Sequence, residues 1–272
     1  MGHGTMFGNT SKKGTHVVSC WGLDELANRM CSPFVSYDSV TNDGDRLLRV
    51  LSFDDFQRAF AAKAVPQFAF MTPNMMNDGH NTSLETAAEW SHKFLQPLLA
   101  DKAFDERTLV MLTYDESEKY EEPNHIVTLL LGSAIPPGLK GTEDNTFYTH
   151  YSMLSTIEYN WGLPNLGRYD VGANVFQFAA DAGDGYKGNK DPENAAAVDN
   201  SISYAGFLNN ETSKTLPIPP PNLNLVGASG QGVLEAIKNA WRADKDKKTP
   251  YDGSGRVYDG DKVPPIYKAS TP

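Results

Sequence analysis

A strand, helix, strand succession over residues 67–116 constrains this chain more than any other feature. The runs 67-QFAFMTPN-74 and 108-TLVMLTYDE-116 are short, apolar and polar at their ends, and 82-TSLETAAEWSHKFLQPLL-99 lies between them. In that middle segment Thr82 and Glu85 make a T-x-x-E capping pattern, and Leu84, Ala87, Ala88, Leu95 and Leu98 recur near helical spacing. Two buried strands joined by a capped helix form a βαβ unit, which predicts a parallel sheet with its active residues at the strand C-terminal ends. The polar ends TPNMMNDGH and TYDE are therefore expected on one rim. A further buried strand is expected over 125-HIVTLLLG-132.

Ser52 and Asp55 form a second capping pattern at the head of 53-FDDFQRAFAAKAV-65, where Phe53, Phe56 and Phe60 share a side. The segments 151-YSMLSTIEYNWGL-163 and 232-GVLEAIKNAWR-242 read as helices. From Gly183 to Asn224 the chain turns polar and Pro-rich, ending in PIPPPNLN, which favours an extended surface excursion of the same domain. The segment 249-TPYDGSGRVYDGDKVPPIY-267 reads as a packed, turn-rich loop.

At 272 residues the chain suits one generous α/β domain or two small ones. Its 24 Lys and Arg against 34 Asp and Glu give a net charge of −10, which repels nucleic-acid backbones and anionic membranes. No apolar run approaches the ~18 residues that a membrane span needs. Cys20 and Cys31 allow one disulfide and no zinc cluster. The start, MGHGTMFGNTSKKG, has no apolar signal-peptide core, whereas sequons at Asn9, Asn81 and Asn210 fit a secreted protein. No G-x-x-x-x-G-K-[ST], G-x-G-x-x-G or G-x-S-x-G motif is present, which disfavours nucleotide kinases, dinucleotide enzymes and α/β-hydrolase triads.

Asp115 and Glu116 are adjacent carboxylates after an apolar strand. Strand neighbours point to opposite faces, so only a turn lets both reach one cation; otherwise they are a solvated strand exit. His125 opens the next strand and could turn back to the same rim. The loop 72-TPNMMNDGH-80 gathers Asn74, Asn77, Asp78 and His80 before a helix N-terminus, a setting for an oxyanion or metal as well as for an ordinary N-D-G turn. His150 precedes another helix and is a third imidazole candidate. These residues point to metal-assisted anion chemistry without an identified nucleophile.

The motifs FAFMTPNMMNDGHNT, TLVMLTYDE, NHIVTLLLG and THYSMLSTIEYNWGLPNLGRYDVGANVF resemble the fungal secreted acid phosphatases, members of the phosphoesterase family related to bacterial phospholipases C. The resemblance runs from about Phe34 to the C-terminus. It implies an alkaline-phosphatase-like α/β sandwich with a mostly parallel sheet between helices, a divalent metal of unspecified identity, and a transiently phosphorylated Ser or Thr. It places Asp115, Glu116 and His125 in the metal site, Asn77 and His80 at the substrate phosphate, and His80 and His150 in catalysis. The partners it implies are small phosphorylated substrates, with no nucleic acid.

The family's nucleophile segment, with a pattern such as H-P-S-x-P-N-Y, has no counterpart in residues 1–33, and Ser52 matches no catalytic motif. The expected organisation is thus an atypical segment 1–33 followed by 34–272 as the C-terminal part of one N-terminally truncated phosphoesterase domain. The implied activity is acid hydrolysis of phosphate monoesters, weakened if the nucleophile is absent. A phospholipase C-like phosphodiesterase and an inactive phosphate-binding remnant are the alternatives. Location in the secreted or cell-wall fraction follows from the resemblance, and a cytoplasmic one if the chain is complete as written.

Overall fold

A computed structural model describes residues 4–9, 17–21, 33–117, 124–183, 186–192, 195 and 219–256. The chain divides into two compact units, Met1–Ser117 with His125–Gly141, and Glu118–Asn124 with Thr142–Pro272. In the first unit β1 (Gly4–Asn9), β2 (Val17–Trp21), β3 (Val50–Ser52), β4 (Phe68–Met71), β5 (Thr108–Thr113) and β6 (Thr128–Leu131) form one sheet in the order β3-β2-β4-β1-β5-β6. Its helices are α1 (Asp38–Thr41), α2 (Gly44–Leu47), α3 (Phe53–Ala61), α4 (Leu84–Ala100) and α5 (Lys102–Asp105).

The expected mostly parallel sheet is not what forms. β2 is parallel to β3 and β4, but β1 is antiparallel to both β4 and β5, and β5 to β6. The crossover through α4 does make β4 and β5 run in the same direction, as the βαβ pattern requires. A crossover fixes direction, not adjacency, and β1 lies between the two strands, with Met6 opposite both Phe70 and Met111. The segment 1–33 thus supplies β1 and β2 to the sheet. The strand expected over 125–132 shortens to β6 and is only partly buried, because it pairs with β5 alone and leaves Val127 and Leu129 exposed.

Local signals account for both long helices. At α3, Ser52 Oγ accepts from the Asp55 N–H at 3.2 Å while Asp55 Oδ2 accepts from the Ser52 N–H at 3.0 Å, completing the expected capping box. At α4 the cap is Ser83, which accepts from the Thr86 N–H at 3.3 Å. Thr82, expected in that role, instead donates its hydroxyl to the Met76 carbonyl at 3.2 Å and so fastens the preceding loop. Phe56, Ala69, Met71, Leu95, Leu98, Phe104 and Val110 form the core between these elements. Beside it, the rings of Trp90 and Phe94 stack at 5.1 Å, with Phe53 edge-on to both.

The second unit contains α6 (His150–Trp161), α7 (Gln177–Ala182) and α8 (Glu235–Ala240). The helix expected over 232–242 is interrupted, with a 3-10 turn at Arg242–Asp244. Arg168 gathers distant segments, donating to the Pro219 carbonyl at 2.9 Å and the Tyr251 hydroxyl at 2.7 Å while lying against the Trp241 and Tyr251 rings. Cys31, the sequon at Asn210, most of the Pro-rich 183–224 segment and residues 257–267 lie outside the described residues.

The buried residues of α6 are all polar: Ser152, Ser155, Thr156 and Glu158. Asp170 is also buried and accepts from the backbone N–H groups of Leu166 and Arg168 at 2.6 and 2.9 Å. Burial, and then the Asp170 charge, push the Glu158 carboxyl up to about 8. A carboxyl raised on folding stabilises the fold fully below its ordinary value of 4.5, and that contribution is lost as pH rises towards about 8. Thermal melts should therefore show stability falling across this interval. Glu158→Gln, which keeps the side chain's size and removes the titrating carboxyl, should flatten the slope, and an unchanged slope would contradict the assignment.

Candidate functional site

The loop between β4 and α4 is built from its own side chains. Asn74 accepts from the Asn77 N–H at its carbonyl (2.9 Å), and from the Asn77 side-chain amide (2.8 Å) and the Met76 N–H (3.2 Å) at Oδ1. Asp78 then turns the chain again, Oδ1 accepting from the His80 N–H at 2.8 Å, with Gly79 between them at φ 88°, a left-handed conformation that a Cβ disfavours. Asp78 is 1% exposed, Asn77 is half-buried and His80 is exposed. His80 Nδ1 lies 2.8 Å from Asn81 Oδ1. An amide oxygen only accepts, so in this arrangement Nδ1 carries a proton and Nε2 is left for a ligand.

β5 ends at Thr113, and the chain bends at Asp115 before Glu116. That bend meets the condition that strand alternation imposes on two neighbouring carboxylates. The Glu116 N–H donates to Asp115 Oδ1 at 3.0 Å. Partial burial and then the adjacent Asp115 charge raise the Glu116 carboxyl above its ordinary range, and the His80 imidazole opposes the rise. The Asp115 charge and the His80 imidazole thus both act on the Glu116 carboxyl.

His125 is exposed on the segment leading into β6 and does not join the acidic pair. The β5–β6 ladder stops at Thr113 opposite Thr128, and the pairing that would hold His125 across from Glu116 ends with it. Among the described residues no three His, Cys, Asp or Glu side chains come together as a metal-holding group, so the expected set Asp115, Glu116 and His125 is not assembled. A hard divalent cation needs six or so oxygen ligands. The pair of carboxylates fits the acidic side of such a site and does not close it. His150 is the exposed first residue of α6 in the second unit, after the Thr149 cap. Asp78 was visible in the sequence only as one polar group in a turn. The informative signal was its place two residues before a histidine, where an Asx turn fixes the histidine backbone.

This electrostatic arrangement yields an outcome with two opposite signs. Asp115→Asn should move the Glu116 titration to lower pH by removing a like charge, and His80→Ala should move it higher by removing a counter-charge. Side-chain carboxyl NMR checks both directions, and a Glu116 titration indifferent to both substitutions would separate the three groups.

The profile of the phosphoesterase family matches residues 24–164, which include β3 to β6, the loop after β4 and the acidic pair. A probable acid phosphatase of Kluyveromyces lactis is 40% identical over 220 residues, covering 81% of this chain and 51% of the relative. An acid phosphatase of Aspergillus fumigatus is 41% identical over 214 residues, covering 78% and 47%. A phosphatidylinositol-3-phosphatase of Mycobacterium tuberculosis is 30% identical over 115 residues, covering 42% and 36%. No solved structure matches. The chain spans about half the length of the fungal relatives. A profile match across half of the chain, over the segment that carries the loop and the acidic pair, makes this chain a member of the phosphoesterase family.

Proposed function

We propose that the chain carries acid-phosphatase-type chemistry, the hydrolysis of small phosphate monoesters with the aid of a divalent metal. The observation that supports this most is that the Asp115 charge and the His80 imidazole, from the exits of two strands running the same way, both act on the Glu116 carboxyl. The fungal relatives named as acid phosphatases support the same reaction. A net charge of −10 favours small esters over polyanions. Secretion and glycosylation belong to this reading through the resemblance to secreted enzymes.

Asp115 and Glu116 would hold the cation, which when bound offsets phosphoryl charge. Asn77 and His80 bind the phosphoryl oxygens. His80 Nε2, the ring nitrogen that Asn81 does not engage, gives a proton to the departing alcohol oxygen. Asn81 keeps the ring in that orientation through Nδ1. His150 enters on the resemblance alone, and the nucleophile is assigned to no residue.

The test is turnover of p-nitrophenyl phosphate at acid pH with several divalent metals. His80→Ala should lower kcat by ~10²–10⁴-fold, the span usual for a positioned proton donor. Replacing both Asp115 and Glu116 by Ala should abolish turnover and metal retention. Normal rates and metal content in these variants would overturn the reading, and preferential cleavage of phosphatidylcholine would replace the monoester with a diester substrate.

A further inference from the structure

One carboxylate of the first unit has a job only half filled. Asp78 is 1% exposed, its Oδ1 accepts from the His80 N–H at 2.8 Å, and its Oδ2 is buried with no hydrogen-bond partner among the described residues. A buried carboxylate oxygen left unbonded is costly, so the question is what satisfies it. Asp78 lines a cavity of about 10 Å³ that runs between the loop, the face of α4 at Trp90 and Ser91, and the end of β5 at Thr113 and Tyr114. That volume is about what one water molecule occupies. Asn77, Trp90, Ser91 and Tyr114 carry amide, indole and hydroxyl groups, the kinds of donor from which a water draws its remaining bonds once it has donated to a carboxylate. A cation of similar size would require five or six oxygen ligands, more than such a lining offers.

We propose that this cavity is a single-water site and that Asp78 is a positioning residue, holding the His80 backbone with one oxygen and, through the bound water, the end of β5 with the other. The water then links the two strand exits, so that His80 keeps its place beside Asp115 and Glu116. The kinetic consequence rests on the phosphatase reading; the structural claim does not.

The experiment has three arms on the intact chain. A crystal structure should show an ordered water within about 3.2 Å of Asp78 Oδ2. Solvent absent from the cavity, or a metal-like peak with several short oxygen contacts, would overturn the proposal. Hydrogen exchange at the His80 amide should accelerate about tenfold or more in Asp78→Ala and stay close to the parent in Asp78→Asn, which keeps one acceptor oxygen. Equal exchange in both variants and the parent would overturn it. On p-nitrophenyl phosphate, Asp78→Asn should lower kcat by about tenfold with KM within about twofold, and should add nothing to His80→Ala, since the two act through one imidazole. Multiplying losses would place Asp78 in a separate role and count against the proposal. Should Asp78→Ala fail to fold, Ser91→Ala removes a lining hydroxyl without touching the loop, and loss of the ordered water or faster His80 exchange is the expected result. A folded chain with no turnover would sink the phosphatase reading, while the crystal and exchange arms still judge the water site.

Discussion

Burial of one apolar layer decides where every candidate group ends up. Phe56, Met71, Leu98 and Val110, from α3, β4, α4 and β5, are each at most 1% exposed, and burying a side chain of this size is worth about 1.5–3 kcal/mol. Side chains packed to crystal-like density do not slide. With Met71 and Val110 locked, the chain must leave β4 at Thr72 and β5 at Tyr114, and because the two strands run the same way these exits open at the same edge of the sheet. The polar loop and the acidic pair meet there because the apolar residues behind them have nowhere else to go.

Much of that arrangement was legible in the sequence, since its determinants are local. The Ser52–Asp55 box, the helix between β4 and β5, and the direction of the crossover follow from caps and spacing that lie within a few residues of one another. β1 was not legible. GTMFGN lacks the alternation and β-branched content that mark a strand, and its place between β4 and β5 depends on pairing with residues 60 to 109 positions away. The parallel sheet failed for that reason: adjacency is a property of the whole fold. The one-residue move of the α4 cap from Thr82 to Ser83 has a different cause, a competing hydrogen bond from Thr82 to the loop.

The site was readable in its residue types and less so in its geometry. The Asp115 charge and the His80 imidazole both act on Glu116 because both segments directly follow core strands. His125 does not join them, because its approach depends on a ladder that ends at Thr128. Asp78 was legible among the loop's possible oxyanion or metal ligands but not as a buried group, and Glu158 was not singled out, since burial is not visible in local sequence. Both are buried, Asp78 holding the His80 backbone and Glu158 lying under the influence of the Asp170 charge.

On the proposed reading, the β4–α4 loop and the β5 exit act as one anion-binding site. Backbone amide NMR during titration with inorganic phosphate at acid pH tests it most directly. The account predicts that the resonances of residues 77–80 and of 114–116 shift together, with a single dissociation constant. Shifts confined to one segment, or two segments responding with different constants, would contradict it.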